Sequence, residues 1–204
     1  MTCTQDFSKC SRPVQGLSMW RSEPKARRRL DLVPLGDAAG QQSEDGTLHG
    51  AAGYRRADSG ALFLERYLDV PIEQAILERS GVQVERHQIV EVGNLAASGL
   101  GTARTLIAKL TRQLALQGFR WVTFTGTQEV LNSFHRLGLA PQLLALADPA
   151  RMGESLADWG HYYDNQPQVV FGEILPAHRQ LLDTQSAKAV SPFCAMAGRL
   201  QHAA

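Results

Sequence analysis

The stretch from Ile89 to Leu139 constrains the fold more than any other part of the chain. An apolar run, IVEVGNLA, leads into Ser98-Gly99-Leu100-Gly101 and then into a long amphipathic segment. In that segment Ala103, Leu106, Ile107, Leu110 and Leu114 recur at helical spacing, while Arg104, Arg112, Gln113 and Gln117 fall largely elsewhere. Gly118 ends the predicted helix. FRWVTFT follows, apolar at nearly every position apart from Arg120 and the threonines, as a strand covered on both faces reads. Thr125 with Gln128 fits a capping box, with Thr127 as the alternative cap, and Val130, Leu131, Phe134 and Leu137 form the inward stripe of a second helix. This alternation predicts a parallel strand–helix–strand step inside a mixed sheet. Glycines at the first strand–helix junction leave backbone N–H groups pointing outward, which favours an anion there.

The flanks supply further strands and one more helix. LDLVPL, Leu30 to Leu35, is a short strand candidate, and residues 36–46 read as a wide turn. Thr47 to Arg56 reads as an adjoining strand in which Gly50 and Gly53 suggest a bulge or a close backbone approach. A helix is predicted over IEQAILERS, with Asp69 as its cap, Pro71 in its first turn and Gly81 at its end. Residues 141–147 predict a strand, 148–165 a loop rich in aromatics, and Gln168 to Ile174 the last strand. The expected organisation is an arm over residues 1–29, one domain over 30–176, and a loose tail over 177–204 with one weak helix. The basic run Lys25 to Arg29 reads either as a solvated arm or as a contact for an acidic partner or anionic headgroups.

Bulk properties exclude several classes. With 204 residues, a single domain with a proper core is expected. A net charge of +1 gives no field to gather a nucleic-acid backbone. Three scattered cysteines fit a reducing compartment or incidental thiols rather than a disulfide framework. No His/Cys/Glu spacing resembles a zinc site, so no metal is expected. The start lacks the apolar core of a signal peptide, and no run of about 18 apolar residues occurs. The expected compartment is therefore the cytoplasm, without a membrane-spanning segment.

Taken together, LFLERYLD, EVGNLA, the glycine loop, GFRWVTFTGT, NSFHRLGL, LADPAR, WGHYYDNQP and VVFGEI resemble the thermostable hemolysin family, over about two-thirds of the chain. The central unit also resembles the acyl-CoA site of the GNAT acyltransferases and of their relatives that make acyl-homoserine lactones. That resemblance implies an α/β (α+β) fold, a mixed, splayed sheet flanked by helices. It further implies that a pantetheine arm lies where one strand splays from its neighbour. The phosphates would then meet the N–H groups of Ser98, Gly99, Leu100, Gly101, Thr102 and Ala103, with Arg104 adding charge. The superfamily loop usually carries Gln or Arg three residues before its first glycine; here Ala96 precedes Gly99, or Ser98 precedes Gly101. Either CoA or an acyl-carrier protein is the implied thioester donor, and a small-molecule amine the implied acceptor.

Glu91 alternates with Val90 and Val92, so it faces the opposite side of the strand, toward the expected substrate. A carboxylate there can take a proton from an attacking amine, or serve only a cross-strand partner. Asn94 is expected to secure the exposed backbone of the splayed strand on the substrate side. Superfamily members often use a tyrosine to protonate the leaving thiolate. Spacing does not choose between Tyr162 and Tyr163; Tyr163 is carried forward, beside the alternative that both pack with His161 at the sheet rim. Three functions follow: a GNAT-like acyltransferase, a membrane-active hemolysin, or a non-catalytic binding protein on the same fold.

Overall fold

The computed structural model describes residues 31–34, 50–97, 100–159 and 161–194. The expected arm over residues 1–29, the turn over 36–46, Ser98 and Gly99 lie outside them.

Six strands form one sheet in the order β1-β2-β3-β4-β6-β5. They are β1 Asp31–Pro34, β2 Gly50–Arg56, β3 Ile89–Ala97, β4 Trp121–Gly126, β5 Gln142–Leu146 and β6 Gln168–Glu173. The central step is the expected one: β3 and β4 are parallel neighbours joined through helix α2, Leu100–Leu116. All other neighbouring pairs are antiparallel. The last strand inserts between β4 and β5, so β5 is left at the edge.

β3 and β4 share a ladder only from Ile89↔Trp121 to Val92↔Phe124. Beyond Val92, β3 stays with β2, pairing Gly93 with Gly53 and Ala97 with Gly50. Beyond Phe124, β4 stays with β6, pairing Gly126 with Gln168. The two central strands therefore part at their C-terminal ends. This mixed, splayed sheet flanked by helices is the GNAT-like α/β arrangement that the resemblance implies. A bulge assists the divergence. The β2–β3 register changes between Ala51↔Ala96 and Gly53↔Gly93, so Ala52 alone faces Asn94 and Leu95. The extra residue lies on β3, not at the β2 glycines.

Two apolar layers cover the sheet. On one side the predicted stripe of α2 packs with Val90, Phe124, α3 (Gln128–His135) and Leu181 of α4 (Ile174–Cys194). On the other side Ile89, Trp121 and Phe171 pack with α1 (Ile72–Ser80), a 3-10 turn over Phe63–Tyr67, and the segment around Trp159. Strand alternation sorts Val90 to the first layer and Ile89 to the second.

Several local expectations change. Thr127 occupies the α3 cap position, while Thr125 stays inside β4. Asp69 does not cap α1; it pairs with Arg151 at 2.6 Å, and Pro71 stands just before the first helical residue. Gly81 does end α1, with φ +71°. From Ile174 to Cys194 the chain is one helix, and Ala177 and Leu181 bring it onto the core, where the sequence predicts a loose tail from residue 177.

Candidate functional site

Glu91 sits in the middle of β3 and is only 7% exposed. Its carboxylate is not idle. Oε2 accepts the Phe63 N–H and Oε1 accepts the Leu64 N–H, both at 2.9 Å. These are the first two residues of the Phe63–Tyr67 turn, so Glu91 satisfies donors that the turn itself leaves open. Burial pushes the carboxyl above the ordinary carboxylate range, while the two N–H bonds and the Arg55 charge oppose that shift. Each carboxylate oxygen retains a further lone pair for a proton or a water.

The same turn carries Tyr67, 3% exposed, whose hydroxyl meets that of Tyr163 at 2.7 Å and the Met152 sulfur at 3.3 Å. Burial, then the Tyr163 hydrogen bond, raises the Tyr67 phenol, so it stays protonated. Trp159 packs on Phe63, Tyr162 and Tyr163 with ring centroids 5.1 to 6.0 Å apart. Burial likewise raises Tyr162. Glu91 and Tyr163 thus meet opposite ends of one five-residue turn. His161 points elsewhere: it is exposed and bonds Asp164 at 2.7 Å.

A second carboxylate fixes that turn. Glu65 accepts the Leu62 N–H at 2.7 Å and the Ile72 N–H at 3.0 Å, so it closes the turn and starts α1. Arg86 grips it through Nη1 at 2.6 Å and Nη2 at 3.2 Å, reaches Glu73 at 2.7 Å, and donates to the Ala57 and Gly60 carbonyls. Burial works against an ionised Glu65, but Arg86 and the two N–H groups outweigh it and hold the carboxyl below the ordinary range. Three consecutive N–H groups, Leu62 to Leu64, are therefore held by two carboxylates. The sequence gives no local sign of this, because Arg86 lies 21 residues from Glu65 in a segment that reads as a plain connection.

On the opposite face of β3 the strand splay leaves a small apolar cavity of about 40 Å³. Val92 and Leu95 of β3, Ile107 and Leu110 of α2, and Val122 and Phe124 of β4 are among its walls. Thr111 also lines it, but gives its hydroxyl to the Ile107 carbonyl at 2.8 Å, so no free polar group enters from there. Val92 is the chain neighbour of Glu91; one strand thickness separates the cavity from the carboxylate.

Of the expected phosphate loop, Leu100 to Arg104 are described and form the first residues of α2. Gly101 is exposed, Ala103 is buried in the core, and Thr102 and Arg104 are partly exposed. Asn94 lies at the β3 bulge. Among the described residues, no group of His, Cys, Asp and Glu could hold a metal, and no helix is long and apolar enough to cross a membrane.

A sequence profile described as thermostable hemolysin matches residues 35–178. No curated protein matches the chain. Among solved structures, that of TofI in an apo form aligns at 15% identity and a TM-score of 0.49, covering 78% of each chain. FeeM, an N-acyl amino acid synthase from uncultured soil microbes, aligns at 15% identity and a TM-score of 0.48, covering 81% of this chain and 86% of that one. The CoA-dependent acyl-homoserine lactone synthase BjaI, with SAM and isopentyl-CoA, aligns at 14% identity and 0.47, covering 80% and 71%. The profile runs from before β2 into the start of α4, well over half of the residues, and on that ground the chain belongs to the thermostable hemolysin family.

Proposed function

We propose that this chain is an acyltransferase that moves an acyl group from a CoA or acyl-carrier thioester to an amine. The observation that carries the reading is the pairing, across one strand, of a buried carboxylate with an apolar cavity at the strand splay. In this reading the thioester arm enters the gap between β3 and β4. Its phosphates meet the first turn of α2, where Gly101 lets them approach the backbone.

The amine nitrogen attacks the thioester carbonyl carbon, forming the C–N bond, and the C–S bond then breaks. Glu91 takes the amine proton, directly or through a water, using a lone pair that Phe63 and Leu64 leave open. Burial raises its proton affinity, which makes it a stronger base than an ordinary carboxylate. Tyr163 gives its proton to the leaving thiolate. Tyr67, held protonated by burial, can then donate to the Tyr163 oxygen and steady the phenolate that forms. Asn94 would lie on the acceptor's path along the bulged strand.

A non-catalytic binding role has one observation in its favour, namely that both Glu91 oxygens already serve the Phe63–Tyr67 turn. The two readings part on thiol release. Purified protein given acyl-CoA or acyl-carrier thioesters and a panel of amines releases free thiol at an amine-dependent rate if it is a transferase. If it binds thioesters but releases no thiol above background, it is a binding protein. Vesicle leakage by the same preparation, without thiol chemistry, would instead support the lytic phenotype in the family's description.

A further inference from the structure

β2 and β3 run antiparallel, and in their ladder Arg55 stands directly opposite Glu91. Residues paired in this way send their side chains to the same face, with Cβ atoms about 5 Å apart. Alternation divides the two neighbouring arginines of β2. Arg56 turns to the other face, over the Phe119 ring at 5.6 Å, and pairs with Asp58 at 2.6 Å. Arg55 is half-buried on the Glu91 side and forms no ion pair among the described residues. Its hydrogen bond there runs from Nη1 to the Ala61 carbonyl at 3.3 Å. The two opposed residues therefore hold one loop, Arg55 by a carbonyl and Glu91 by the Phe63 and Leu64 N–H groups.

A carboxylate buried without a neighbouring cation takes up a proton rather than stay charged. The ionisable groups around Glu91 are few among the described residues. The Phe63–Tyr67 turn brings Glu65, whose negative charge disfavours a second one, although Arg86 pairs with it at 2.6 Å. The same turn carries Arg66, which lies over the Phe63 ring at 3.8 Å, and the protonated Tyr67. β4 presents Thr123 opposite Glu91, and its hydroxyl is given to the Val170 carbonyl at 2.9 Å. The segment around Trp159 brings Tyr162 and Tyr163. Arg55 is the cation in direct register with the carboxylate, and its charge acts against burial and against Glu65.

We propose that Arg55 is a positioning residue for the base: set across the β2–β3 ladder, its charge keeps the buried Glu91 ionised and able to take the amine proton. The proton transfer rests on the acyl-transfer reading; the tie between the two charges stands without it.

The test compares Arg55→Gln, which keeps an N–H donor for Ala61 but no charge, with Arg55→Lys, which keeps the charge. Arg55→Met stands in if the glutamine variant fails to fold. The Phe63 and Leu64 amides, which bond Glu91 directly, report its titration by NMR, and loss of that titration in Glu91→Gln assigns it. Arg55→Gln should move the midpoint to higher pH, and Arg55→Lys should return it toward wild type. Thiol release should follow: in Arg55→Gln, kcat/KM falls about tenfold on the acidic limb and matches wild type above it. An unmoved midpoint in folded Arg55→Gln, or equal midpoints in Arg55→Gln and Arg55→Lys, overturns the proposal and leaves Arg55 as a tie to Ala61 alone. Midpoints that shift as expected, with no thiol release from any thioester, keep the Arg55–Glu91 tie and remove the acyl-transfer reading. Thiol release with a pH limb indifferent to Arg55→Gln keeps the transferase and removes this role of Arg55.

Discussion

Arg86 and Glu65 meet through two nitrogen–oxygen contacts, Nη1 to Oε1 at 2.6 Å and Nη2 to Oε2 at 3.2 Å. Their side chains are mostly covered, at 28% and 16% exposure. Because Glu65 also takes the Leu62 and Ile72 N–H groups, the pair fixes the turn that presents Phe63 and Leu64 to Glu91. Arg86→Met should lower stability by about 1–2 kcal/mol, between the values for exposed and for buried pairs. That corresponds to a melting point lower by roughly 2–8 °C. The sign with pH follows from Glu65. Its folded-state affinity for protons is depressed, so its contribution is present above the unfolded carboxylate value and is lost as pH falls through the folded one. The gap between wild type and Arg86→Met should therefore narrow in acid, as thermal scans at neutral and acidic pH would register.

Gly101 lies in the first turn of α2 with φ in the ordinary range, and a Cβ built there meets nothing within 4 Å. Folding alone has no need of glycine at this place. Gly101→Ala should stabilise the fold by up to about 1 kcal/mol, because alanine loses less chain entropy in a helix. If a phosphate approaches that backbone, the same change should weaken thioester binding about tenfold or more. A variant that melts higher and binds thioesters as tightly as wild type would show that no phosphate comes close there.

Tyr163→Phe removes the hydroxyl that meets Tyr67 at 2.7 Å. Loss of one neutral hydrogen bond costs about 1 kcal/mol, while loss of a general acid costs roughly a hundredfold or more in rate. The prediction is a small change in melting temperature, unchanged thioester affinity, and thiol release lower by at least tenfold. Tyr67→Phe should have a milder effect on rate, because it removes support for the phenolate and not the transferred proton.

Much of this arrangement is legible in the sequence where one period dominates. Ala103, Leu106, Ile107, Leu110 and Leu114 form the buried stripe of α2 as their spacing dictates. Strict alternation likewise placed Glu91 on the face opposite Val90. What escapes is set by contacts across the chain. Glu65 and Arg86 have no periodic relation, and their tie depends on a 3-10 turn too short to leave a pattern. The β3 bulge shows only in the register against β2, where Ala52 faces two residues. Asp69 looked like a cap because Pro71 follows it, but Glu65 already takes the Ile72 N–H, which leaves Asp69 to Arg151.

The most direct test of the account is the pH dependence of thiol release in wild type and Glu91→Gln. Burial raises the Glu91 carboxyl, and a base must be ionised to act. Wild-type kcat/KM should therefore rise with pH along a limb lying above the ordinary carboxylate value. Gln keeps one acceptor for the Phe63–Tyr67 turn, so Glu91→Gln should stay folded, bind thioesters normally, and lose about a hundredfold or more in rate together with that limb. A folded Glu91→Gln protein that releases thiol at the wild-type rate, with the same pH profile, would contradict the assignment of Glu91 as the base.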